Sequence, residues 1–439
     1  MTKIIPPAGM DRRSFLRGST AFLAASAFGQ SAIPIVEPKG RKPRTLVVLF
    51  LRGGCDGLHL VVPYGDPDYA RLRPGLAVPG PDVANGVVPL DENFGLHPAA
   101  AALRPLFESG IATAIQAVGH PDNTRSHFEE QDRWEVASGA LAEMQIGAPG
   151  WLGRYLALEG QGGPGPIRAL ALGKSVPRSL RGTVPALAID RLEELRVPGD
   201  AKGLDATMAA LRKTYAKNRA ASEAAKTSGA ARKSGARDLL AREGDATLDA
   251  MRRLSAVAAK PFESKGTYPS VALGAHLREA ARLIDSDLGL EVIQIDHTGF
   301  DTHQNQSRSW NQLVTPLAQG LAAFFADVEA RGRLDEVLVL AVSEFGRTAR
   351  VNGTGGTDHG SGGCVLALGG QVKGPKGEPR GVIGDWPTLA KDALHESRDL
   401  RTTTDIRDVY AEALTAFMGV EQPDRVLRGW KGQPARYLV

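Results

Sequence analysis

Cysteine is nearly absent from this chain, with only Cys55 and Cys364 in 439 residues. A framework of disulfides is therefore excluded, and the fold must rest on its apolar core. A single disulfide between them is allowed in an exported protein, but both cysteines sit at the edge of apolar runs, which reads as two buried thiols. Long hydrophobic runs are missing as well. The apolar stretch Thr20–Phe28 falls short of the roughly 20 residues that a spanning helix needs, so no stable membrane span is expected. A surplus of one charge is also lacking. The net charge is +4, and Lys3, Arg12, Arg13 and Arg17 against Asp11 place +3 of it (4 − 1) in the first 35 residues. The remaining +1 (4 − 3) gives no argument for nucleic acid as a partner. No internal repeat is visible, and neither an H-E-x-x-H nor a Ser-His-Asp signature marks a peptidase.

What is present reads as an exported globular protein. Hydrophobic residues make up 42% and charged ones 23%, an ordinary balance for a chain that buries a core. The length accommodates one large α/β domain with an insertion, or two domains. Asp11-Arg12-Arg13-Ser14-Phe15-Leu16-Arg17 is a twin-arginine pattern, followed by Thr20–Phe28 and a possible cleavage site at Ala25-Ser26-Ala27. Residues 1–35 are thus predicted to be a signal peptide. The twin-arginine translocase would be a partner during export, and the destination would be periplasmic or secreted.

Apolar runs with strand character fall at Thr45–Leu51, Ile111–Val118, Ile167–Leu172, Ala186–Ile189, Glu291–Ile295, Glu336–Val342 and Cys364–Leu368. Helical patterns fall between them, at His97–Glu108, Ser126–Ser138, Trp151–Glu159, Val271–Ser286, Leu313–Ala330 and Thr404–Phe417. Strands alternating with helices predict a three-layer α/β/α sandwich around a mainly parallel sheet. This domain takes in residues 36–200 and 261–439. Residues 201–260 break the plan: Leu211–Arg237 carries eight Lys or Arg and one acid, with no strand signal. The segment is predicted to be a basic, solvated helical insertion.

Chemistry-bearing residues gather in four loops, each after a strand or before a helix. They are Arg52-Gly53-Gly54-Cys55-Asp56-Gly57, then Gly119 to Phe128 (GHPDNTRSHF), then Gly299-Phe300-Asp301-Thr302-His303, and the run VLVLAVSEFGRTARVNGTGGTDHGSGG over Val337–Gly363. In a parallel sheet the carboxyl ends of the strands share one edge, so these loops can converge. Asp56, Asp301, Glu344 and Asp358 bring four negative charges, which two divalent cations would balance. His303 and His359 would add neutral nitrogen ligands. Such mixed ligands suit zinc or manganese, or magnesium at the more oxygen-rich position. Arg347 is placed either to bind an anionic substrate or to pair with Glu344. Arg52, His97, His120 and His127 are weaker candidates.

In LVVLFLRGGCDGLHLVVPYGD, NTRSHFEEQDRWE, GFDTHQNQ and SEFGRT…GTDHG, together with the leader, the chain resembles a widespread family of bacterial exported proteins. That family is placed in the alkaline phosphatase-like superfamily, with sulfatases and cofactor-independent phosphoglycerate mutases. The resemblance covers nearly all of the mature chain except the insertion, and it implies an alkaline phosphatase-like fold with a metal site. Asp56 would match the acid after the first strand, Asp301 and His303 the mid-chain pair, and Asp358-His359 the late Asp-His pair. Glu344 occupies the place directly after its strand, so either it or Asp358-His359 could bind.

The superfamily's nucleophile lies at a helix start after an early strand. Ser126 fits that place, with Thr124 as the alternative. Ser126-His127-Phe128-Glu129 is also an S-x-x-E capping box. The C/S-x-P-x-R context of the usual sulfatases is absent around Cys55. The expectation is an exported metal-dependent hydrolase acting on phosphate or sulfate esters, small or polymeric. The rival is a non-catalytic envelope or polymer-binding protein that keeps the fold and a structural metal.

Overall fold

β1 (Thr45–Arg52, TLVVLFLR) is apolar on both faces, and such a run is stable only in the middle of a covered sheet. It occupies that place. In the computed structural model, which describes residues 44–139, 147–158, 167–195, 249–372 and 381–438, nine strands form one mixed sheet. The others are β2 (Ala112–Gly119), β3 (Ala169–Leu172), β4 (Leu187–Ile189), β5 (Val292–Thr298), β6 (Val337–Val342), β7 (Gly363–Gly369), β8 (Val382–Ile383) and β9 (Thr404–Asp405). The order is β8-β2-β7-β6-β1-β5-β3-β4, with β9 also paired to β2. β7 alone opposes its neighbours β6 and β2; the other pairings are parallel.

All seven strand runs expected from the sequence lie in this sheet. The reversed direction of β7 has a simple consequence. Chain leaving the carboxyl end of β6 re-enters the sheet on that same edge, so no crossover helix is needed. The whole glycine-rich stretch between them therefore stays on one edge of the molecule.

Helices cover both faces. Val47, Leu49 and Leu51 of β1 pack with α3 (Ala272–Asp285) and α4 (Gln306–Ala330) on one side. Leu46, Val48 and Phe50 pack on the other with Trp134 of α1 (His127–Val136), α2 (Trp151–Leu156) and α5 (Ile406–Glu412). This strict alternation makes the three layers. The pattern at His97–Glu108 becomes a 3₁₀ turn, Pro98–Leu103, followed by a short helix, Arg104–Glu108. α4 begins at Gln306, a full two turns before the expected Leu313, and runs through Pro316.

A small three-stranded sheet, Val61–Val62 with Gly95–Leu96 and Val88–Pro89, lies beside the main one. Both cysteines are buried thiols, as the sequence predicts. Among the described residues no helix is long and apolar enough to cross a membrane. The predicted signal peptide and residues 201–248 of the predicted insertion lie outside the described residues.

Candidate metal centre

The carboxyl edge of the sheet carries the site. β1 ends in Arg52-Gly53-Gly54, β5 leads to Asp301 and His303, β6 leads to Glu344 and Arg347, and the turn after β2 leads into α1 at His127. Glycine is required where β1 ends. Gly53 has φ +115°, and a Cβ there would lie 2.6 Å from the backbone nitrogen of Asp301. That close passage brings the Gly53 amide to Glu344 Oε1 at 2.9 Å.

Three imidazoles share one pattern. His127 Nδ1 faces Glu344 Oε1 at 2.9 Å, His303 Nδ1 faces Asp358 Oδ1 at 3.0 Å, and His359 Nδ1 faces the carbonyl of Arg125 at 2.8 Å. Carboxylates and a carbonyl only accept, so each Nδ1 carries the hydrogen. The lone pair of each neutral ring is then on Nε2. All three Nε2 atoms surround a single oxygen, Asp301 Oδ1, at 3.3 Å for His127, 2.9 Å for His303 and 3.2 Å for His359. His303 Nε2 and His359 Nε2 are themselves 2.9 Å apart.

Asp301 is ionised. Burial alone would raise its carboxyl, but the Arg347 guanidinium 2.6 Å away outweighs this and holds it at about 2. Three nitrogen lone pairs aimed at a carboxylate oxygen repel it and one another unless a cation, or extra protons, lie between. His127, Asp301 and His359 form a group able to hold a metal ion, and His303 Nε2 stands beside it, 2.9 Å from Asp301 Oδ1. Glu344, Asp358 and the Arg125 carbonyl orient the rings from outside. Such outer partners fix the tautomer and raise the basicity of a ligating imidazole.

The surroundings reinforce the arrangement. Glu344 is fully buried, and Oε1 also accepts from Gln131 Nε2 at 2.9 Å. Burial would raise its carboxyl, yet these donors, His127 first among them, hold it below its ordinary value. The Glu344 hydrogen bond raises His127, whereas burial lowers His359. Phe345 packs under both rings, 4.8 Å from each. Asn352 Nδ2 steadies Asp358 Oδ1 at 3.1 Å and the His303 carbonyl at 2.9 Å. Asp301 and Asp358 are about half exposed, so the cluster opens to solvent.

Several residues singled out in the sequence stand elsewhere. Asp56 is not in the cluster: its buried carboxylate takes both guanidinium nitrogens of Arg73, at 2.6 and 3.0 Å, and Gln306 Nε2 at 2.7 Å. Against the effect of burial, Arg73 keeps it ionised. Gln306 Oε1 in turn accepts from Thr302 and Thr357, so Asp56 underpins the 301–303 and 357–359 loops without reaching the cluster. Glu344 and Asp358 hold rings and do not join the converging donors. Arg347 is buried and its guanidinium is committed within the fold, to the carbonyls of Gly53, Gly54, Phe300 and Thr357 and to Asp301. It positions Asp301.

Thr124 Oγ1 donates to Glu130 Oε1 at 3.2 Å and accepts from the Ser126 amide at 3.4 Å, which makes it a loop brace. Ser126 stands at the start of α1, and its side chain makes no cap bond, so the capping box does not form. His97 caps its 3₁₀ turn, and His59 and His120 are buried outside the cluster, with His59 held down to about 3 by burial. Where one or two metals were expected, one group able to hold an ion is found among the described residues. His127, a weaker candidate in the sequence, belongs to this group. The sequence shows Gln131 one turn along α1 but not that both side chains meet Glu344.

The chain belongs to the family described as protein of unknown function (DUF1501), whose model matches residues 105–430. The matched span contains His127, Asp301, His303, Glu344, Arg347, Asp358 and His359, and it leaves out Asp56. No curated protein matches the chain. Among solved structures it is similar to "Crystal structure of Ps i-CgsB in complex with k-i-k-neocarrahexaose", at 12% identity over 90% of this chain and 75% of that one, with a TM-score of 0.40. It is also similar to "Crystal structure of Ps i-CgsB", at 12% identity over 89% and 75%, with a TM-score of 0.39. Likeness that distant bears on neither fold nor activity.

Proposed function

We propose that this member of the family is an exported, metal-dependent hydrolase of phosphate or sulfate esters, with an alkaline phosphatase-like ancestry. The observation that carries the reading is the convergence of three Nε2 lone pairs on the ionised Asp301. His127, His303, His359 and Asp301 would hold one divalent cation. Three imidazoles and one carboxylate suit zinc better than magnesium, which prefers an all-oxygen shell. A cation so held supplies Lewis acidity toward the ester oxygens.

The remaining work falls to the chain itself. Arg347 keeps Asp301 ionised and aimed. Glu344, Asp358 and the Arg125 carbonyl fix the rings before any ligand arrives. Ser126 lies between the Arg125 carbonyl and His127, its hydroxyl uncommitted to the helix cap, and it serves as the attacking group. The amides of the first turn of α1 favour the anion beside it.

Metal analysis of the purified mature protein, followed by a screen of aryl phosphates and aryl sulfates, tests this. One zinc per chain is expected, lost in His127→Ala and His359→Ala. Turnover is expected to disappear in Ser126→Ala while zinc is retained. Zinc bound with no turnover on any ester favours the non-catalytic protein with a structural metal. A protein that takes up no metal refutes the whole reading.

A further inference from the structure

Beside the metal centre, on the same sheet edge, is a cavity of ≈ 500 Å³. Its walls are the end of β1 (Arg52), the side of α1 (Asp132 and Glu135), the loop after β3 (Arg178 and Arg181) and Asp296 of β5. The two sites are joined through one side chain. Arg52 donates to Gln131 Oε1 at 3.0 Å, and Gln131 Nε2 donates to Glu344 Oε1, the oxygen that orients His127. Asp132 and Glu135 lie five and eight residues beyond His127 on α1, about 8 and 12 Å along its axis.

The charges in this cavity are not balanced in their commitments. Every acid in the wall is ion-paired: Asp132 with Arg178, and Glu135 and Asp296 with Arg52. Arg181 is exposed, makes one 3.5 Å contact to the Val176 carbonyl, and has no acid partner among the described residues. Its loop, Gly173 to Gly182, carries Lys174, Arg178 and Arg181 and no acid. The lining holds three arginines and three acids, and Arg181 is the one charge among them left to engage a ligand.

We infer that this cavity is a subsite for a second oxyanion, so that the substrate is an ester carrying two phosphate or sulfate groups. The inference rests on the proposed hydrolytic metal centre, which would take the first group. Arg181 takes the second, and the Arg52–Gln131–Glu344 chain joins the two sites. Joining two anions in one molecule makes the second contact intramolecular, and the gain peaks where linker length matches the span.

Zinc-loaded protein titrated calorimetrically with alkyl monophosphate and with α,ω-alkane diphosphates of increasing length tests the subsite. The expected result is a length optimum at which the diphosphate binds about tenfold or more tighter than the monophosphate. In Arg181→Ala that optimum is expected to vanish, leaving the diphosphate no better than the monophosphate. The exposed side chain of Arg181 makes only the 3.5 Å contact to the Val176 carbonyl, so its removal should leave the fold intact. Zinc bound with no length optimum, or an optimum that survives Arg181→Ala, overturns the subsite alone. Failure to bind zinc overturns the metal centre and this inference with it.

Discussion

Glu344→Gln is the most searching perturbation of the metal centre. Oε1 of Glu344 accepts from the Gly53 amide, His127 Nδ1 and Gln131 Nε2, each at 2.9 Å, and Oε2 meets Ser343 Oγ at 3.1 Å. A glutamine can keep its carbonyl oxygen where Oε1 stands and turn its amide toward Ser343 Oγ. Shape and hydrogen bonds survive, and the negative charge behind His127 is lost. Outer-shell changes of this kind weaken metal binding about 10–100-fold, or about 1.4–2.7 kcal/mol. The apo protein should change in melting temperature by little, because no buried donor is orphaned. Glu344→Ala differs, stranding buried donors at about 1–3 kcal/mol each. Competition against a chromophoric zinc chelator measures the first effect, and calorimetry of the metal-free protein measures the second. Zinc affinity unchanged in Glu344→Gln, with apo stability falling, would show that Glu344 serves the fold and not the ligand.

Asp56→Asn should leave zinc affinity near wild type but destabilise the protein by about 3–5 kcal/mol at neutral pH, since it breaks a buried pair. Because Arg73 lowers the folded pKa of Asp56, its contribution is complete above the ordinary carboxyl value and fades as pH falls through the lowered one. Melting temperatures of wild type and variant should thus converge on acidification; a gap independent of pH contradicts this. Gly53→Ala forces a side chain into a φ of +115° against the Asp301 backbone. Strain of that kind is about 1–3 kcal/mol, and zinc affinity should drop with stability in paired calorimetric and chelator measurements. His97→Ala is the control for His127→Ala: its imidazole caps a turn, so a thermal scan should register it and a zinc titration should not.

Most of the fold was legible because its strands are apolar on both faces and separated by helical periods. The direction of β7 was not, since an apolar run looks the same read toward either edge. β8 and β9 have two residues each, too short for any pattern. At the site, Asp301, His303 and His359 were legible from their glycine-rich loops. Asp56 misled because its partner, Arg73, lies 17 residues on and in no motif. The apparent contest between Glu344 and the Asp358-His359 pair dissolves in three dimensions. Residue type alone cannot say which nitrogen of a ring a carboxylate will face, and here both acids face Nδ1.

The hairpin return of β7 also bears on when the site comes into being. His303 and Asp358 meet across 55 residues, with the 343–362 excursion opening and closing on neighbouring strands. His127 reaches Glu344 across 217 residues, after β2 has found its place beyond β7. β1 stands between β5 and β6, and its pairings span more residues still, 246 (292 − 46) between Leu46 and Val292. The cluster therefore comes together only once these long-range pairings of the sheet are made. On the proposed reading, metal uptake at full affinity would time the completion of the sheet, readable by stopped-flow refolding in the presence of a metal indicator.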